Sequence, residues 1–268
     1  MSEPTGPKPT RSEPTGAPQP RVALFATCLV DLFRPSVGFA AAKLIEASGC
    51  TVEVPESQTC CGQPAYNSGD TATTADIARR TIAALETYDF IVVPSGSCGG
   101  MLKSHYPSLL ADDPRWSKRA VDFAEKVHEL ISFLVDVRGL TSVDASFAGR
   151  VTYHDSCSGL RELGIKQQPR QLLATVKGLE LTEMADSEIC CGFGGTFSVK
   201  YPDISNAIVE QKVGNAGTVK PDLLLAGDLG CLMNMAGKLR RQGSHIQVRH
   251  VAEVLAGELN DPPIARRD

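Results

Sequence analysis

Four cysteines occur twice in the same order along this 268-residue chain, and that duplication limits the folds open to it more than any other feature. Cys28 and Cys157 lie 129 residues apart, Cys60 and Cys190 lie 130 apart, as do Cys61 and Cys191, and Cys98 and Cys231 lie 133 apart. Each half reads as a cysteine, 31 or 32 intervening residues, a Cys-Cys pair followed by glycine, 36 or 39 residues between that pair and the last cysteine, and glycine beside that last cysteine. An amphipathic stretch also recurs, Glu129 to Leu134 against His250 to Leu255. Whatever fold holds the first set must therefore be built a second time, with a boundary near Gly139 to Gly149.

From Arg21 onward short aliphatic runs alternate with amphipathic stretches, the pattern of an α/β protein with largely parallel sheets. Strands are predicted at Val22–Ala26, Thr51–Val54 and Phe90–Pro94, and again at Val151–His154, Glu180–Glu183 and Asp222–Ala226. Helices are predicted at Val37–Ser48, Thr73–Thr87, Lys126–Val137, Gln168–Lys177, Ile204–Ala216 and Val251–Leu259. The fold expected is α/β, with two pseudo-symmetric Rossmann-like halves over residues 21–145 and 146–268. Residues 1–20 carry six prolines and Ser-Glu-Pro-Thr-Gly twice, which reads as a disordered tail.

The 31 acidic and 27 basic residues are well mixed and give a formal charge of −4, so no basic stripe points to nucleic acid or an anionic membrane. No apolar run reaches bilayer length, and the first residues lack the basic-then-apolar order of a signal peptide, so no membrane span and a cytoplasmic location are expected. In a reducing compartment, clustered cysteines point to metal or redox work rather than to disulfides.

Every one of the eight repeated cysteines follows a predicted strand, and loops beyond the carboxyl ends of parallel strands form the crevice where ligands bind. Thiolates hold iron–sulfur clusters, adjacent cysteines serve one cluster when the backbone turns sharply, and Gly62 and Gly192 permit that turn. The candidate cofactor ligands are Cys28, Cys60, Cys61 and Cys98 in one set and Cys157, Cys190, Cys191 and Cys231 in the other. Zinc also accepts four thiolates, although its usual Cys-x-x-Cys knuckles are absent, and zinc at one site stays open. A metal-free thiol/disulfide pair at Cys60-Cys61 or Cys190-Cys191 is a further alternative. Cys50 lies outside both sets and reads as a small core residue.

The segments Thr59 to Gly69, Pro94 to Cys98, Cys190 to Ser198 and Gly227 to Asn234 resemble the cysteine-rich, Cys-Cys-Gly domain family of iron–sulfur oxidoreductase subunits. That resemblance spans nearly all of the chain beyond the tail. It implies an electron-transfer subunit with up to two iron–sulfur clusters of the 4Fe-4S type. It further implies companion iron–sulfur subunits and a lactate-oxidising complex, with lactate itself as a candidate ligand. Two departures limit it: where the heterodisulfide reductase members of that family supply a fifth cysteine, this chain has Met101 and Asn234, and Ser158 stands where many relatives have histidine.

Outside the cysteines, His154 and Asp155 read either as an acid/base pair or as a capping network at a strand end, and capping is the reading favoured here. Arg161 is a candidate for a carboxylate partner or for a plain ion pair. Gly192-Phe193-Gly194-Gly195 lacks the third glycine of a dinucleotide loop, since Phe197 stands there, so no nicotinamide site is expected.

Overall fold

The aliphatic runs Phe-Ile-Val-Val and Leu-Leu-Leu-Ala, with almost no surface exposed, form central strands of two parallel sheets. The computed structural model describes residues 19–266, so the tail expected over 1–20 lies almost wholly outside the described residues. The first sheet contains β1 (Arg21–Leu24), β2 (Thr51–Glu53), β3 (Phe90–Val93) and β4 (Val127–Glu129) in the order β2-β1-β3-β4. The second contains β5 (Ser146–His154), β6 (Lys177–Leu181), β7 (Leu223–Ala226) and β8 (Gln247–His250) in the order β6-β5-β7-β8. The same permutation occurs twice, as the duplicated cysteines require.

Register makes the halves comparable residue by residue. Val22 lies opposite Phe90 in one sheet and Val151 opposite Leu223 in the other, so Leu24 corresponds to Tyr153 and Phe25 to His154. Val93 pairs with Glu129 and Ala226 with His250, which makes Glu129 and His250 equivalent as well. Strand order reverses between β1 and β3, and between β5 and β7, and such a switch point opens a crevice at the carboxyl ends of the strands.

One apolar core runs between the two halves, built from Val22, Leu24 and Val92 on one side and Val151, Tyr153 and Leu225 on the other. Helix packing across it is reciprocal. The helix Pro35–Ala47 packs on Val251–Leu255 of the second half, while Gln167–Leu173 packs on Leu130–Ser132 of the first. Separate outer cores lie behind each sheet, around Phe25, Ile82 and Tyr106 in the first half and around Leu232, Met235 and Val248 in the second. No helix of the described residues is long and apolar enough to cross a membrane.

The six predicted strands are present within a few residues, but two were missed. Of the helix expected over Lys126–Val137, Lys126 closes the helix Ser117–Lys126, Val127–Glu129 form strand β4, and Leu130–Val137 are helical, the second part with the wider π-type turn. Strand β8 likewise precedes the last helix, which stops at Leu255 rather than Leu259. Lys177 opens β6 instead of closing a helix, and that strand runs Lys177–Leu181 rather than Glu180–Glu183. Helices at Ser117–Lys126 and Leu229–Arg241 were not anticipated.

Candidate metal centres

Two cysteines of each set lie in the first turn of a helix that follows a central strand. Cys28 and Cys157 are the first residues of Cys28–Phe33 and Cys157–Arg161, while Cys98 and Cys231 are the third residues of Gly96–Gly100 and Leu229–Arg241. Polar caps fix three of these starts: Thr27 accepts from the Val30 amide, Ser95 from Cys98 and Asp228 from Gly230. The Cys-Cys pairs follow the edge strands, and the turn after each needs a left-handed residue. Gly62 has φ +85° and Gly192 has φ +83°.

The three loops of each half converge. Cys28 Sγ lies 3.9 Å from Cys60 Sγ, and the Gly62 amide donates to Cys60 Sγ at 3.5 Å. In the second half the Gly192 amide donates to Cys190 Sγ at 3.3 Å, with Cys157 and Cys191 facing the same sulfur. Cys61, Cys191 and Cys231 are buried, whereas Cys28, Cys60, Cys98, Cys157 and Cys190 are half-buried. Donation from neighbouring thiols and from these glycine amides drives Cys60 and Cys190 toward thiolate, while Cys28 and Cys157, facing those sulfurs and partly desolvated, are pushed up. A soft cation would stabilise thiolates in either set. Cys50 packs in the shared core, apart from both sets.

Carbonyl anchoring is also duplicated, with different residues. Tyr106 Oη donates to the Cys61 carbonyl at 2.9 Å, and Asn234 Nδ2 donates to the Cys191 carbonyl at 2.9 Å. Asn234 thus holds the Cys-Cys turn from the place where some relatives have a further thiolate. The two cysteine helices meet between the halves, where Asp228 accepts from Ser95 Oγ at 3.0 Å and from the Ser97 amide at 2.9 Å. Gly96 lies against Gly159 there, so closely that an added Cβ would sit 2.8 Å from the Gly159 nitrogen.

The openings differ. The first set faces a crevice of about 390 Å³ bordered by Asp31, Glu56 and Thr59 as well as Cys28 and Cys60. The second faces one of about 270 Å³ between the halves, bordered by Cys157, Cys190 and Cys231 and by Tyr66, Asn67 and His105 of the first half. His105 Nε2 lies 3.4 Å from Glu162 across that crevice.

Asp155 is buried and receives a two-pronged ion pair from Arg170, both contacts at 2.8 Å, and a hydrogen bond from Ser187 Oγ at 3.0 Å. Asp155 is thus held in an ion-pair and hydrogen-bond network at the end of β5. Arg161 is exposed in the last turn of its helix. Gly192, Gly194 and Gly195 all have positive φ, so the segment that looks like a dinucleotide loop is instead the tight turn after the cysteine pair. Tyr106, Asp228 and Lys212 were missed, because nothing in their local sequence shows that tertiary packing aims them at the sites.

A fold of paired parallel sheets with four converging cysteines at the switch point of each defines a duplicated cysteine-rich domain protein. The family model described as a cysteine-rich domain matches residues 22–103 and 151–236, and the chain belongs to that family. Within it, the chain is similar to lactate utilization protein A of Oceanobacillus iheyensis, 46% identical over 235 residues that cover 88% of this chain and 96% of that protein. It is similarly related to lactate utilization protein A of Shouchella clausii, at 49% identity over 87% of this chain and 98% of that one. Among solved structures, a hypothetical protein from Helicobacter pylori shares the fold, with a TM-score of 0.64 at 13% identity over 91% of this chain and 50% of that one.

Proposed function

We propose that the chain is an iron–sulfur electron-transfer subunit of a cytoplasmic complex that oxidises L-lactate to pyruvate, with each four-cysteine set binding one cluster. The observation that carries the proposal is the repeated convergence of four cysteines at the switch point of each sheet, and the lactate role is supported by the relatives' name. Bound there, 4Fe-4S clusters supply reversible one-electron storage, which a chain handing on the two electrons released from lactate requires.

The protein's own contribution is ligation, orientation and water exclusion. Cys28, Cys60, Cys61 and Cys98 hold one cluster, and Cys157, Cys190, Cys191 and Cys231 the other. The Gly62 and Gly192 amides donate to ligand sulfurs, and such bonds tune potential. Tyr106 and Asn234 keep each Cys-Cys turn from opening. Companion subunits approach through the two crevices, where Cys28 and Cys60 of one set and Cys157 and Cys190 of the other are half-buried.

A second reading, zinc at the first set, rests on one distance. The 3.9 Å between Cys28 and Cys60 is close to the edge of a tetrahedron with bonds of ~2.3 Å to a single ion. Anaerobic purification with iron, acid-labile sulfide and zinc analysis separates the readings. Two clusters give about eight irons and eight sulfides per chain, and one cluster with one ion gives about four irons and one zinc. Stoichiometric zinc without sulfide overturns the electron-transfer proposal.

A further inference from the structure

His154 is the last residue of β5, three before Cys157, and is fully buried. Its Nδ1 lies 3.2 Å from the Ser187 carbonyl. A carbonyl only accepts, so Nδ1 carries the ring proton and Nε2 is left as a bare lone pair. Nε2 is buried and has no hydrogen-bond partner. A ring nitrogen of His154 and the sulfurs of Cys191 and Cys231 all lie within 4.8 Å of one another.

From this geometry we propose that His154 takes one of the four ligand positions of the second centre through Nε2, beside Cys191, Cys231 and one of the half-buried cysteines Cys157 and Cys190, making that centre a mixed imidazole–thiolate site while the first is thiolate alone. The inference rests on the reading that the second cysteine set binds metal. Three observations converge on it. Cys191, Cys231 and His154 are the buried groups of the site and form its inner wall, with Cys157 and Cys190 half-buried toward the crevice. Histidine ligands characteristically give their other ring N–H to a backbone carbonyl, which fixes tautomer and orientation, and Ser187 supplies that carbonyl. The equivalent position beside the first centre is Phe25, which offers no donor atom, so the feature is absent where the cysteines alone are repeated.

The test uses the full chain purified without oxygen. In Cys61→Ser the metal that remains belongs to the second set, and X-ray absorption at that metal's edge reads its ligands. The expected shell contains one imidazole nitrogen at about 2.0–2.1 Å beside sulfur at about 2.3 Å, with outer-ring scattering that disappears when His154→Gln is added. Wild-type chain shows the same nitrogen shell diluted by the sulfur-only first centre, so the decision does not depend on either variant folding. Metal present in the second set with a sulfur-only shell overturns the role of His154 and leaves the metal reading standing. Metal kept by Cys191→Ser but lost from Cys61→Ser shows an empty second set and overturns both.

Discussion

Beside its cysteines the first half places Phe25, and the second half places His154 at the equivalent strand position. Ile77 and Ile208 touch Gly62 and Gly192 alike, and the same offset of 131 residues relates Thr81 of the first half to Lys212 of the second. Thr81 is buried and neutral, whereas Lys212 is a buried cation that donates to the Asp186 carbonyl and lies near Cys190 and Cys191. Duplication has therefore kept the thiols and changed their surroundings. A buried cation near one anionic centre and a hydroxyl near the other set different local fields, and field is a main determinant of cluster potential. Two sites with matched but not identical cysteine spacing thereby lie in unequal fields.

The largest effect should come from the cysteines themselves. Cys61→Ser is expected to lose the metal of the first set and keep that of the second, and Cys191→Ser the reverse, as read by metal and sulfide content. Loss of both from either single change would show one shared centre and end the comparison.

The next effect is in pH dependence, where equivalent residues have opposite signs. Glu129 and His250 both end the fourth strand of their sheet and cap the following helix, Glu129 accepting from Ile131 and Ser132 and His250 from Ala252. Burial raises Glu129 to about 8, against the pull of those amides, and burial lowers His250. The folded chain therefore keeps the Glu129 proton after the unfolded chain has released it. Stability from this group is full below about pH 4.5 and is lost as pH rises to about 8, by up to about 5 kcal/mol. His250 works the other way: the unfolded chain takes up its proton first, so stability falls as pH drops below about 6.5. Chemical unfolding between pH 5 and 8 should show Glu129→Gln flattening the alkaline loss while the acid-side loss persists. Parallel curves for wild type and variant would remove Glu129 from the account.

How much of this was legible beforehand follows from the scale of each signal. Cysteine spacing survives any tertiary arrangement, so both sets, the duplication and six of the strands could be read from sequence. Val-His-Glu and Gln-Val-Arg-His are too short and too polar to announce strands, and their place in the sheets comes from pairing with β3 and β7. The place of His154 at the end of a strand, three residues before Cys157, was readable. The direction of its second nitrogen was not, because ring orientation is set by a residue 33 positions away. Asp228 and Ser95 show the same limit, since their bond joins segments 133 residues apart.

A smaller difference lies in the reciprocal helix contacts. Where Pro35–Ala47 meets Val251–Leu255, Arg34 Nε donates to Glu253 Oε1 at 2.8 Å with the carboxylate fully buried, and Ser36 Oγ adds a bond of 2.8 Å. Among the described residues, the matching contact has an exposed bond from Gln168 to Asp136 at 2.9 Å. Arg34→Met leaves a buried charge without its partner and should cost about 3–5 kcal/mol, whereas Gln168→Ala should cost below about 1 kcal/mol. Denaturant midpoints at fixed pH check both. Equal costs would mean that the halves are held together by the shared apolar core alone.

The finest test separates two glycines that look alike. Gly62 and Gly192 have nearly the same positive φ, so alanine at either carries the left-handed penalty of about 1–2 kcal/mol. An added Cβ at Gly62 meets the Ile77 side chain at 3.3 Å, which can rotate aside, but at Gly192 it comes to 2.7 Å from the Ser205 carbonyl, which is helix backbone and cannot. Gly192→Ala should therefore cost about 1–2 kcal/mol more than Gly62→Ala. Relief of that clash moves the Gly192 amide away from Cys190 Sγ, so metal should leave the second set faster as well, measured by transfer to a chelator. Equal release rates from the two variants would show that the amide bond does not hold Cys190 in place, and the two turns would then differ in packing only.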